Sequence, residues 1–231
     1  GGALCGICLT LAVNLQQVAI AWVDASGRAN VGKIGFLTAM YIVLVPILSL
    51  FLKKRVGANV YAGILLALAG MYLLCVKEGF ALGGGDVYAL LAALMFALQI
   101  IVIDIFAPKV DNIRLSALQF LVCGALSGAL ALGTETQLAR AYRDALLPIL
   151  YTGVLSSGVG YTLQILGQRR CRPQMASLLM SMESAFSAIF GFLILHQKMT
   201  GRELTGCALM LAAVLLAQWK PRGERKTDES V

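Results

Sequence analysis

Charge is scarce in this sequence. Only 13% of its 231 residues are Asp, Glu, Lys or Arg, where a soluble globular domain carries about 25%. Hydrophobic residues make up 59%, and the mean hydropathy is +0.81. So few charges cannot cover a surface that faces water on all sides, which excludes an ordinary soluble domain. Histidine is nearly missing: His196 is the single one, so a multi-histidine zinc site is excluded. No Gly-rich loop is followed by Lys-Ser or Lys-Thr, so a self-contained ATP-driven pump is excluded. Deeply placed Lys and Arg are also missing, which disfavours a phosphate-bearing solute as cargo. Lys33 sits close to a run end, where its stem can reach water.

Long apolar runs fill the chain instead. Runs of about 20 residues span about 30 Å of hydrocarbon as helices. Eight are predicted: Ala3–Val23, Ile34–Leu52, Ala58–Val76, Asp86–Phe106, Leu115–Gly133, Ala145–Gly167, Gln174–Leu195 and Glu203–Trp219. They do not alternate with period 2, so barrel strands are not expected. The fold class is an all-α polytopic membrane protein. Lys and Arg fall unevenly between the two sides. The breaks after the second, fourth and sixth runs and the tail hold twelve of the nineteen. The positive-inside rule puts that side, and the C-terminus, in the cytoplasm. The tail 221–231 reads as disordered, and its basic start can touch anionic lipid heads. The net charge of +7 calls for no nucleic-acid partner.

Six cysteines are present, and Cys5-Gly6-Ile7-Cys8 has CxxC spacing. That pair lies within an apolar run without His or acidic neighbours, so small packing residues are the preferred reading over a redox or metal pair. No cofactor, metal site or catalytic set is read from the sequence.

The chain contains an internal repeat. Lys53–Leu73 resembles His196–Leu216, with Gly63 matching Gly206, Leu66 matching Leu209, Ala69 matching Ala212 and Leu73 matching Leu216. The runs before each copy carry small polar residues: Thr38 and Tyr41 in one, Ser181 and Ser184 in the other. The copies are five runs apart, so they face opposite ways across the membrane. Inverted repeats with a site at the midplane are a recurrent transporter plan. The boundaries expected are 1–80 for three helices of the first unit, 81–220 for the five-helix second unit, and 221–231 for the tail. The Gly83-Gly84-Gly85-Asp86 stretch reads as a flexible linker between them. A five-helix unit implies ten helices in all. Two more are therefore expected before Ala3, and the natural protein is expected to begin earlier than Gly1.

Three segments then carry a family resemblance: Gly32-Lys33-Ile34-Gly35-Phe36-Leu37-Thr38-Ala39-Met40-Tyr41-Ile42-Val43-Leu44-Val45-Pro46, Gly153-Val154-Leu155-Ser156-Ser157-Gly158-Val159-Gly160-Tyr161, and Ala176-Ser177-Leu178-Leu179-Met180-Ser181-Met182-Glu183-Ser184-Ala185-Phe186. With these the chain resembles the EamA-type branch of the drug/metabolite transporter superfamily, over nearly its whole length. The resemblance implies two inverted five-helix halves and export of amino acids or other small metabolites. The family often ends its fourth and ninth helices with Leu-Gly-Glu. Here those places read Leu52-Lys53-Lys54 and Leu195-His196-Gln197.

An ionised side chain at mid-membrane costs about 2.5–3.5 kcal/mol on insertion scales, so it usually has a partner or a task. Glu183 lies near the centre of its run. It reads either as a proton carrier or solute contact, or as a carboxyl bonded between helices. Asp104, near the cytoplasmic end of its run, is a further solute-contact or coupling candidate, with interfacial solvation as the preferred reading. Asn14, Gln16 and Gln17 form a polar cluster, with 14 and 17 on one helical face. With Tyr41, Gln99, Gln119, Tyr161 and Gln164 they line a hydrated path or bond helices together. Gly124 and Gly128 permit close helix packing. Pro46 is expected to kink its helix.

The function expected is a secondary transporter of an amino-acid-like or other neutral, zwitterionic or cationic solute, exporting by alternating access. It sits in the cell membrane, the bacterial inner membrane above all. Its partners are the small-molecule solute and the lipid bilayer, and a homodimer stays open. A membrane-embedded structural subunit or an enzyme without a recognisable motif is the alternative.

Overall fold

The computed structural model describes residues 1–22, 31–53, 56–76, 83–134, 143–196 and 200–219. Described residues form helices α1 (Gly2–Ala21), α2 (Val31–Thr38), α3 (Tyr41–Phe51), α4 (Ala58–Cys75), α5 (Gly84–Phe106) and α6 (Asn112–Thr134). Then come α7 (Leu146–Leu150), a π-helical segment (Tyr151–Val159), α8 (Gly160–Gln168), α9 (Pro173–Leu195) and α10 (Gly201–Gln218). No strand occurs among the described residues. Hydrocarbon cannot satisfy a peptide group, so each span must bond its backbone within itself. Eight described helical spans are long and apolar enough to cross a membrane. The protein is thus an all-helical, multi-pass membrane protein. Each span begins and ends within three residues of the run expected from sequence. The tail 221–231 and several basic residues of the breaks, among them Arg28, Lys54, Arg55, Lys77, Arg140 and Lys198, lie outside the described residues.

Two spans are irregular. The second is interrupted at Ala39–Met40, between α2 and α3. There the backbone tightens, with the N–H of Ile42 bonding the Ala39 carbonyl at 3.0 Å and that of Val43 bonding Met40 at 2.9 Å. Pro46 lies inside α3. Its ring has no N–H to give the Ile42 carbonyl, and the tightened turns lie on that N-terminal side. The sixth span contains nine residues of π-helix, Tyr151–Val159. This wider winding brings Gly153 and Gly158 one π turn apart: a Cβ on Gly158 would lie 3.2 Å from the Gly153 carbonyl oxygen.

Helices in lipid gain nothing from hiding apolar surface, so they associate through close packing and interhelical hydrogen bonds. The most extensive contact joins α4 and α10, and glycines make it. A Cβ added to Gly206 would lie 2.6 Å from the Gly70 carbonyl oxygen, and one added to Gly63 would lie 2.9 Å from that of Ala213. Gly206 follows Gly63 by 143 residues, and Ala213 follows Gly70 by the same 143. Met71 and Met210, both buried, fill the seam. The Asn59 amide donates to the Trp219 carbonyl and ties the start of α4 to the end of α10. The Arg202 guanidinium sits 5.7 Å from the centre of the Tyr72 ring. Gly124 and Gly128 on α6, expected to pack closely, meet nothing within 4 Å among the described residues. Their helix turns that face outward, because α1 contacts its other side.

Two further expectations are corrected. The Gly84–Asp86 stretch is not a flexible linker but the first turn of α5. Its missing side chains let the Trp22 ring approach, since a Cβ on Gly84 would fall 2.6 Å from that ring. Asp86 accepts the Gly83 N–H at 2.6 Å and caps the helix. Nor does Lys33 snorkel to water. Its ammonium lies 2.8 Å from the Asp86 carboxylate, with side-chain exposures of only 12% and 4%. Lys33 and Asp86 are 53 residues apart, so their meeting is a product of packing. The start of α6 is capped locally: Asp111 accepts from the backbone N–H of Ile113 at 2.9 Å and Arg114 at 3.0 Å. The Arg114 N–H bond holds its carboxyl below the usual carboxylate range. At the other end of the sequence Thr200 and Glu203 form a reciprocal capping box for α10.

Lys53 and His196 have positive φ, 59° and 51°. They follow the ends of α3 and α9 and are again 143 residues apart. This left-handed place after a helix is usually filled by glycine.

Two predictions come from this packing. Gly206→Ala should destabilise the protein by about 1–3 kcal/mol, because its methyl group meets backbone and not a mobile side chain. Gly124→Ala should stabilise by up to about 1 kcal/mol, through helix propensity alone. Unfolding in mixed micelles would measure both, and effects of the same sign would refute the packing argument. Asp86→Asn removes the carboxylate beside a largely buried ammonium and should cost about 3 kcal/mol. Adding Lys33→Met to it should recover most of that loss; a double variant no better than the single would rule the pair out as a stabilising unit.

Candidate functional site

The interruption between α2 and α3 leaves space beside α9. A cavity of about 420 Å³ opens there, lined by Gln16 of α1, Gly35 and Thr38 of α2, Ala39, Tyr41 of α3, Phe96 of α5, Tyr161 of α8, and Met180, Ser181, Glu183, Ser184 and Ser187 of α9. Gly35 carries no side chain into the space, and beyond its own helix backbone a Cβ placed on it would meet nothing within 4 Å among the described residues. Aromatic rings form part of the wall. Tyr41 packs edge-on to Phe96 with ring centres 6.4 Å apart, and Tyr161 packs edge-on to Phe120 at 6.2 Å. Hydroxyls, the Gln16 amide, Met180 and one carboxylate form most of the rest. Ser181 is spent on its own helix, donating to the Leu178 carbonyl at 2.6 Å, and Thr38 likewise to Ile34 at 2.8 Å.

Glu183 is exposed into this open cavity. Among the described residues it makes no hydrogen bond. It shares the cavity wall with Tyr41 and Tyr161. A carboxylate beside aromatic faces can pair with a cation and hold it by cation–π attraction. The adjoining hydroxyls can orient the neutral polar part of the same molecule.

The other candidates divide by place. Tyr41 and Tyr161 line the cavity with Glu183. Gln16 does so too, whereas Gln17, the next residue, is exposed and lies outside the lining. Asn14 donates to Ser127 of α6 at 3.1 Å and to the Thr10 carbonyl at 2.8 Å, which ties α1 to α6. Gln164 donates to Gln99 at 3.4 Å, and Gln99 to Gln119 at 3.2 Å, so three amides form a ladder across α8, α5 and α6. Gln99 and Gln119 are fully buried, and Ser116 and Thr162 bond at 2.8 Å alongside. Gln164 is one turn from Tyr161, so the ladder starts just behind the cavity wall. Asp104 lies in the last turn of α5, away from the cavity, and lines a second one with Arg169, Arg170 and Arg172. All six cysteines are free thiols, and Cys5 and Cys8 are buried.

Phe96, Met180, Ser187 and Gly35 were not picked out from the sequence. A signal for part of this wall was present: Ser177, Ser181, Ser184 and Ser187 recur every three or four residues on an otherwise apolar helix. Phe96 and Met180 carry no such mark, since apolar residues line core and cavity alike.

Comparison with known proteins places the chain. An uncharacterized transporter of Archaeoglobus fulgidus is 28% identical over 212 residues, covering 91% of this chain and 66% of that protein. A WAT1-related chloroplastic protein of Arabidopsis thaliana is 26% identical over 192 residues, covering 78% of this chain and 46% of that one. The chain thus spans between about half and two thirds of the length of these relatives. A protein of known crystal structure superposes with a TM-score of 0.80 over 94% of this chain and 75% of its own, at 19% identity, a likeness of fold alone. The model of the EamA-like transporter family matches residues 83–219. That match covers more than half of the sequence and holds α5 to α10 with Glu183 and Tyr161, so the chain belongs to the EamA-like transporter family.

Proposed function

We propose that this protein moves a small amino-acid-like or other neutral, zwitterionic or cationic solute out of the cell, by alternating access at the cavity around Glu183. Family membership points to a transporter rather than an enzyme. The observation that carries the finer reading is the pairing of places around the cavity. Ser181 follows Thr38 by 143 residues, Ser184 follows Tyr41 by the same 143, and all four line one space. Matching residues of two inverted units, 1–80 and 81–220, would meet in this way at a site on the axis between them.

Two more features support the same reading. The α4–α10 contact is reciprocal, with Gly63 against Ala213 and Gly206 against Gly70. A two-fold relation between equivalent helices produces such self-matching contacts. The left-handed residues Lys53 and His196 end equivalent helices. Glu183 has no counterpart carboxylate, since the matching place holds Met40. The site is thus symmetric in outline and one-sided in charge, which suits a solute with one cationic end. The distribution of Lys and Arg favours a cytoplasmic C-terminus in the cell membrane.

Proteoliposomes holding the chain, screened with labelled amino acids and amines, test the proposal. Glu183→Gln should lower flux about tenfold or more, as hydrogen bonds to charged groups are worth about 1.5–3 kcal/mol. Unchanged flux would sink the role given to Glu183.

A further inference from the structure

The second cavity has the opposite chemistry. It holds about 500 Å³ and is lined by Asp104, Arg169, Arg170, Cys171, Arg172, Pro173 and Gln174. It shares no lining residue with the Glu183 cavity. It lies at a bundle end, where one span closes at Gln168 and the next opens at Pro173. In a bilayer this is the depth of the lipid headgroups. Three arginines face one carboxylate, so the lining is net positive. Asp104 and Arg172 already take part in interactions of their own. Arg169 and Arg170 are exposed at the rim.

Gln174 supplies an independent sign of a ligand. It is only 2% exposed, and its Nε2 has no hydrogen-bond partner among the described residues. A buried donor left unpaired costs about 1–3 kcal/mol, so such groups normally meet a partner. Here the donor belongs to a residue in the wall of an arginine-lined cavity. The helix start itself adds little, since Pro173 has no N–H and those of Met175 and Ala176 bond the Arg172 carbonyl at 3.0 Å. Guanidinium forks and an amide donor together match the oxygens of a phosphate group.

We propose that this cavity binds a phosphate group at the membrane surface, as carried by an anionic phospholipid headgroup or as free phosphate. The bound phosphate would pin the short α8–α9 connection and thereby the inner end of the helix that carries Glu183. It is an anchor, not cargo, because the cavity is at the interface and not at mid-membrane.

The test titrates the purified 231-residue chain in neutral detergent with phosphatidylglycerol, phosphatidylcholine and inorganic phosphate. Native mass spectrometry reads the lipid adducts, and thermal unfolding reads phosphate. Phosphatidylglycerol should bind once and at least about tenfold tighter than phosphatidylcholine. Each of Arg169→Gln and Arg170→Gln should weaken it about fivefold, and the triple change with Arg172→Gln on the order of 100-fold. Gln174→Leu should weaken it without any change of charge. If inorganic phosphate alone raises the unfolding temperature and displaces the lipid, the natural source is soluble phosphate. If only the lipid binds, the source is the headgroup. Equal binding of both lipids together with no response to phosphate, or affinity unchanged in the arginine variants, overturns the proposal. The two single variants at the exposed rim decide the matter even where the triple variant does not fold.

Discussion

Hydrocarbon offers no hydrogen-bond partner, and from this deficit the architecture follows. Backbone groups are satisfied by coiling each span into a helix. Side-chain groups must then find one another. Asn14 reaches Ser127, Ser116 meets Thr162, three glutamines join in a ladder, and Lys33 pairs with Asp86. Lipid also removes the hydrophobic gain that would hold helices together in water, so van der Waals fit must supply it. The glycines between α4 and α10 do this by bringing two backbones into direct contact.

Against that background, polar groups without internal partners stand out. Glu183 opens into a cavity of hydroxyls and aromatic rings. Gln174 keeps an unpaired donor beside three arginines. The two sites sit on one helix, α9, and differ in sign and depth. One is a carboxylate at mid-span among hydroxyls and aromatic rings. The other is a set of arginines and an amide at the helix start.

Different parts of the molecule were legible in the sequence to different degrees. Span boundaries were legible to within three residues because insertion depends on a sum over about 20 residues, which needs no knowledge of neighbours. Glu183 stood out for the same reason, since its cost at mid-membrane is independent of partner. What could not be read was rotation. Gln16 and Gln17 are adjacent and equally polar, yet only Gln16 lines the cavity. Gly124 and Gly128 have the spacing of a packing motif, yet Gly63, Gly70 and Gly206 make the close contact.

The sequence by itself determined an all-helical, multi-pass membrane fold with eight spans among the described residues and a carboxylate deep in the seventh of them, because each of those properties is local to a stretch of chain. Tertiary structure decided which groups meet. It withdrew Lys33 from water into a pair with Asp86, turned a glycine stretch into the first turn of α5, and sorted the polar residues into a cavity, an amide ladder and an arginine-lined pocket. Such choices depend on the azimuth at which each helix docks. That is set by shape and hydrogen bonding across helices far apart in sequence, and no single run encodes it.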